Sequence, residues 1–159
     1  MVYLLSQTVN SGKTTLISGW TQDNPNVAGI LAPDIDHQRW LVDITSKERR
    51  MLSLDKHSTP NEAINIGRYT FSAYTFAWAR MKLREAFQKK PNWLVFDEIG
   101  YLELSGSGLE PMVRTLLEKN RKTNSTNFIW VVRDQLRSEV IEHYQLSKRE
   151  WSLWQYHNS

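Results

Sequence analysis

The 159-residue chain contains no cysteine, which excludes disulfide cross-links and thiolate chemistry and accords with an expected cytoplasmic location. Long apolar runs are also missing. The longest, such as residues 128–132, and others such as 93–96, fall far short of the ~20 residues a membrane-spanning helix needs. The opening Met-Val-Tyr-Leu-Leu-Ser has no basic leader segment, so no signal peptide and no membrane partner are expected. Charge of one sign is scarce. The formal net charge is only +3, and the pairs Arg49-Arg50, Lys89-Lys90 and Arg121-Lys122 are dispersed at expected element ends. A nucleic-acid surface is therefore not anticipated. His37, His57, His143 and His157 are isolated and lack metal-ligand spacing. Internal repeats and low-complexity tracts are absent as well. Tryptophan, by contrast, is abundant, with seven copies. Trp151, Trp154 and Tyr156 crowd the C-terminal segment, where an aromatic cluster is expected to cap a core; an oligomer or partner contact is the alternative. With 40% hydrophobic and 23% charged residues, the chain suits one globular domain with a sizeable core.

Against this background one stretch stands out, Gln7-Thr8-Val9-Asn10-Ser11-Gly12-Lys13-Thr14. It follows an apolar run and precedes an expected helix, which is the context of a phosphate-binding loop, Gly-x-x-x-x-Gly-Lys-Ser/Thr. Backbone N–H groups of such a loop and the positive end of the next helix surround phosphate oxygens. Asn10, Ser11, Gly12, Lys13, Thr14 and Thr15 are therefore the expected phosphate contacts. Lys13 supplies a cation to the β- and γ-phosphates, and the Thr14 hydroxyl is suited to Mg²⁺. The opening glycine is replaced by Gln7, which gives up the freedom to turn sharply out of the strand. Asn10 is a milder change, because Asn tolerates left-handed backbone angles.

The remaining pattern predicts an α/β fold of the P-loop NTPase type, a mostly parallel sheet flanked by helices with a small antiparallel β insertion. Helix 1 is expected from Gly12 to the breaker cluster at 23–26. Short strands are predicted over 27–32, 39–44 and 50–54, an irregular link over 55–67, and a strand at 69–71. Residues 27–71 together form the predicted β-rich insertion within a single domain spanning 1–159. Helical periodicity returns over 74–89, followed by a strand at 93–96, a helix over 109–119, a strand over 128–132, a helix over 135–144 and a last strand near 151–154.

The strand Trp93-Leu94-Val95-Phe96 ends in Asp97-Glu98, and strand ends are where doubly wound sheets place ligand chemistry. Asp97 is suited to hold Mg²⁺, and Glu98 to orient or deprotonate an attacking water.

The segment Asp97-Glu98-Ile99-Gly100-Tyr101-Leu102-Glu103-Leu104 resembles the signature of the small nucleoside-triphosphatases typified by cancer-related nucleoside-triphosphatase, usually Asp-Glu-Ile-Gly-Lys-Met-Glu-Leu. Gly12-Lys13-Thr14-Thr15-Leu16, Val27-Ala28-Gly29-Ile30 and Ile66-Gly67-Arg68-Tyr69 resemble further elements of that family. The resemblance implies a P-loop fold and Mg²⁺-dependent hydrolysis of ATP, GTP and other nucleoside triphosphates. It implies phosphate binding by Lys13, metal binding by Thr14 and Asp97, and water activation by Glu98; Glu103 lies in the signature without an assigned role.

Four positions depart from the pattern. Gln7 and Asn10 replace loop glycines, Tyr101 replaces the family's Lys, and Asp34-Ile35-Asp36 stands where a Glu-Val-Arg element is usual. A cation facing phosphate is then absent or reversed, and slow hydrolysis is expected. Arg133 or Arg137, beyond strand 128–132, and Arg68 are candidate compensating cations, Arg133 foremost as a catalytic residue. Two alternatives stay open: a degenerate P-loop module acting through a protein partner, and a small-molecule kinase whose acceptor pocket lies within 27–69.

Overall fold

A computed structural model describes residues 1–8, 12–55, 57 and 61–156. Asn10, Ser11 and His157 fall outside these residues. Strand β1 (Val2–Gln7) precedes helix α1 (Lys13–Asp23), whose N-cap Gly12 is left-handed at φ 82°. Then follow β2 (Val27–Leu31), β3 (Asp34–Ile35), β4 (Gln38–Asp43), β5 (Arg49–Met51), β6 (Ala63–Ile66) and β7 (Tyr69–Ser72). Helix α2 (Ala73–Gln88) starts at Ser72, whose side chain accepts the Thr75 N–H, a favourable N-cap. Next come β8 (Trp93–Ile99), the short α3 (Tyr101–Leu104), α4 (Met112–Thr123) and β9 (Asn127–Arg133). A 3₁₀ turn over Asp134–Leu136 leads into α5 (Arg137–His143), and β10 (Trp151–Leu153) follows.

The main sheet has the order β10-β1-β9-β8-β2-β4-β3, with β5 paired to β4. From β10 to β2 every pairing is parallel, and β4, β3 and β5 extend the sheet antiparallel. Strands β8 and β9 are apolar on both faces, as parallel strands covered on each side must be. Leu94, Phe96, Phe128 and Trp130 join a core with Leu83 of α2 and Leu116 of α4. Val95, Ile129 and Val131 face the other way, with Ile17 of α1. Trp20 and Trp154 close this second layer, edge to face at 5.6 Å, so the C-terminal aromatics cap a core as expected.

The expected fold class holds, while several local expectations change. Val27–Leu31 is no part of an insertion: it is β2, a main-sheet strand paired with both β8 and β4. The expected irregular link at 55–67 contains β6, which pairs with β7 across the Gly67-Arg68 turn. Four residues are too few to show a period without their partner strand. Helix α4 begins at Met112 rather than 109, directly after Pro111, whose ring disfavours helical backbone in the residue before it. The four-residue α3 went unanticipated for the same reason of length.

Gly29 shows how tightly β2 and β8 pair. It sits opposite Val95 at φ 128°, and a Cβ there would lie 2.2 Å from the Val95 carbonyl oxygen. Gly29→Ala combines backbone strain with an unavoidable clash and should cost roughly 3 kcal/mol or more. Urea denaturation checks this, and a loss under about 0.5 kcal/mol, the range of ordinary surface changes, would contradict it.

Candidate functional site

The strand order decides which residues meet. β9 lies between β1 and β8, so the end of β1, the start of α1 and the ends of β8 and β9 open at one edge. Lys13 is half-buried at the start of α1, and its Nζ donates to the Thr8 carbonyl at 2.8 Å. Burial lowers the Lys13 pKa, and Arg133 adds to this by repulsion, while Asp97 and Asp134 oppose it. The Thr14 hydroxyl donates to Asp97 Oδ2 at 2.9 Å.

Asp97 is only 3% exposed. The same Oδ2 also accepts the Ala32 N–H at 2.9 Å. Burial pushes its carboxyl upward in pKa; the two hydrogen bonds and the charges of Arg39 and Lys13 pull it back. Its other oxygen, Oδ1, is buried with no partner among the described residues. A buried carboxylate oxygen without a partner is costly and calls for an explanation.

Glu98 follows at a bulge. Between Phe96 and Ile99, β8 advances one residue more than β9, and Glu98 takes φ 68°. Such a backbone is strained for a non-glycine residue, and bulges re-aim side chains beside active sites. The Glu98 carboxylate lies between two guanidiniums: Arg39 of β4 donates to Oε2, and Arg133 Nη2 is 3.6 Å from Oε1.

Arg39 is the functional-site residue that sequence reasoning missed. A cation does stand near the position where one is expected to be absent or reversed, three residues after Asp36. A hairpin turns at Asp36 and His37, φ 52° and 62°, and pairs Asp34 with Arg39. Arg39 Nε then donates to Asp34 Oδ1 at 2.8 Å while its Nη1 reaches Glu98. Two successive positive φ values usually select Asn-Gly or Asp-Gly; Asp-His carries a much weaker signal.

The other expected positions scatter. Thr15 is exposed on α1. Arg137 pairs with Asp134 at 3.8 Å, and Asp134 also accepts the Ser6 hydroxyl at 2.6 Å. Arg68 lies in the β6–β7 turn, donating to the Tyr69 hydroxyl at 3.0 Å. Arg68 and Tyr101 line a cavity of about 1090 Å³ between the β3–β4 and β6–β7 hairpins and the end of β8. Asp97, Glu98 and Arg133 also line it.

Glu103 acquires a structural place. It is 3% exposed, with Oε2 accepting the Gly100 N–H and Oε1 the Leu109 N–H, each at 3.0 Å. It thereby ties the loop after Glu98 to the segment before α4. Burial raises its pKa from 4.5 to about 7, opposed by these N–H groups and aided by Glu110.

A family model described as NTPase matches residues 3–154. The chain belongs to that NTPase family. No curated protein matches the sequence significantly. Among solved structures, THEP1 from the hyperthermophile Aquifex aeolicus superposes with a TM-score of 0.73 at 16% identity, covering 99% of this chain and 91% of that one. A human cancer-related nucleoside triphosphatase superposes with a TM-score of 0.65 at 19% identity, covering 98% and 88%. These likenesses show the same fold, and the family model bears out the resemblance carried by the loop and the acidic octapeptide.

The Glu103 shift sets a stability window. Folded Glu103 keeps its proton up to about pH 7, whereas the unfolded group releases it near 4.5. The native state binds more protons between these values, so this contribution is full below about 4.5 and is lost as pH rises through about 7. Its size is at most ~3.4 kcal/mol. Glu103→Gln should therefore flatten the fall in stability between about pH 4.5 and about pH 7. Parallel denaturation profiles for the two proteins would refute the assignment.

Proposed function

We propose that this NTPase-family chain binds a nucleoside triphosphate at the start of α1 and hydrolyses it slowly to the diphosphate and phosphate. The observation that carries this reading is the Thr14–Asp97 pair with its orphaned Oδ1. A hydroxyl and a carboxylate at a phosphate-binding loop form a half-complete Mg²⁺ site, and phosphate oxygens and water complete such sites in this class of loop. No group of three or more His, Cys, Asp or Glu is poised for a metal among the described residues. None is needed where the substrate supplies ligands. Bound Mg²⁺ would neutralise charge shared by the β- and γ-phosphates.

In this mechanism Lys13 leaves the Thr8 carbonyl for the phosphate oxygens, joined by Gly12, Thr15 and the loop residues Asn10 and Ser11. Thr14 and Asp97 would hold the metal. Glu98 orients the attacking water and accepts its proton as the water oxygen bonds to the γ-phosphorus and the bond to the β–γ bridging oxygen breaks. Arg133, at the end of the strand between β1 and β8, stabilises charge on the transferring phosphoryl, and Arg39 does so from the opposite side. Both guanidiniums exchange Glu98 for phosphate oxygens when the triphosphate enters, which frees the carboxylate for water. This exchange would slow turnover, because two ion pairs must rearrange before the chemistry.

Steady-state phosphate release from ATP and GTP tests the reading. Chelation of Mg²⁺ should abolish it. Glu98→Gln should lower kcat by roughly 100-fold or more while leaving nucleotide affinity nearly intact, because the base acts mainly in the transition state. Lys13→Ala should weaken binding as well. A folded protein that binds no nucleotide by calorimetry would sink the proposal; tight binding with turnover indifferent to Glu98→Gln would select the non-catalytic module.

A further inference from the structure

The cavity beyond Glu98 is far larger than hydrolysis requires. One attacking water fills about 30 Å³, whereas the cavity holds about 1090 Å³, the scale of a small-molecule site. It starts at Asp97, Glu98 and Arg133 and runs towards the two hairpins. Its lining reaches from Asp97 and Glu98 to both hairpins, so most of it lies beyond the carboxylate that would face the γ-phosphate. We propose that this cavity binds a second substrate, a neutral planar-ring compound carrying hydroxyls, of the nucleoside class, as a phosphoryl acceptor. The proposal rests on the nucleotide reading given above.

Three features choose that class. Aromatic rings stand on two walls, Tyr69 on β7 and Tyr101 on α3, 51% and 49% exposed. Phe71 backs Tyr69, the rings stacked within 8° at 5.8 Å. Exposed rings of this kind offer stacking surface to any planar base. Charge argues against a second anion, because carboxylates outnumber guanidiniums along the lining. Asp36, exposed at the β3–β4 turn, has no hydrogen-bond partner among the described residues. Its carboxylate suits the vicinal hydroxyls of a ribose.

The transfer balances without any further reagent. The acceptor hydroxyl oxygen bonds to the γ-phosphorus, the bond between that phosphorus and the β–γ bridging oxygen breaks, and the nucleoside diphosphate leaves. The hydroxyl proton passes to the Glu98 carboxylate. Water takes the same place when no acceptor is present.

The test incubates the full chain with Mg²⁺ and ATP labelled at the γ-phosphate, adding each common ribonucleoside in turn. Labelled nucleoside monophosphate should form with at least one of them. The ratio of labelled nucleoside monophosphate to inorganic phosphate should fall about tenfold or more in Tyr69→Ala and in Tyr101→Lys, a loss of ~1.4 kcal/mol in relative binding. The ratio is internal to each reaction, so a partly unfolded variant does not imitate the effect. Label appearing solely in inorganic phosphate, with every ribonucleoside and measurable ATP turnover, overturns the acceptor site and leaves the hydrolase reading standing. If ATP is not turned over at all, the hydrolase reading fails separately, and calorimetry with the same ribonucleosides decides the cavity. Binding weakened about tenfold by Tyr69→Ala supports the site; no heat of binding removes it.

Discussion

The buried carboxylate of Asp97 gathers three distant segments at one point: Thr14 at the start of α1, Ala32 just after β2 and its own strand β8. An ionised group this deep is tolerated only when its oxygens are matched by donors or cations. Oδ2 has two donors and Oδ1 has none among the described residues. The fold thus satisfies half of the carboxylate with protein and leaves the other half for something else. Much of the architecture follows from that demand. α1 must cross from β1 over β9 and β8 so that β2 can join the sheet, and Gly29 must lack a side chain so that β2 lies close enough for Ala32 to reach Asp97.

Around this fixed point the electrostatics are arranged in opposition. Lys13 and Arg133 repel each other across the opening, and both are drawn towards the acidic pair. Arg39 divides its guanidinium between Asp34 and Glu98. A polyanion entering here replaces repulsion between cations with attraction to each of them. The strained backbone at Glu98 fits the same picture, since a bulge lets Asp97 point inward while its neighbour reaches arginines on both sides.

Much of this was legible in the residues alone. The apolar runs at 93–96 and 128–132 announce strands buried on both faces, and Gly12-Lys13-Thr14 with Asp97-Glu98 names the two strand ends that must converge. Arg39 was not legible, because its place depends on a turn through Asp36 and His37, whose residue types only weakly encode positive φ. Glu103 was visible within the octapeptide, but its two N–H partners, Gly100 and Leu109, are brought together by tertiary contacts. β2 was assigned to an insertion because a five-residue apolar run carries no information about which strand it will join.

The two ends of the main sheet share a further property. At one margin stands β5, three residues long and paired with the side of β4 opposite β2 and β3, and at the other β10, also three residues long. Backbone groups along a sheet margin invite pairing with foreign strands, and brevity is one of the simplest defences. Strand β4, which delivers Arg39 to Glu98, therefore has a second consequence. By carrying the short β5, with Arg49 and Arg50, along its outer side, it leaves too little open backbone for another chain to extend, and so shields a long, apolar sheet from edge-to-edge aggregation.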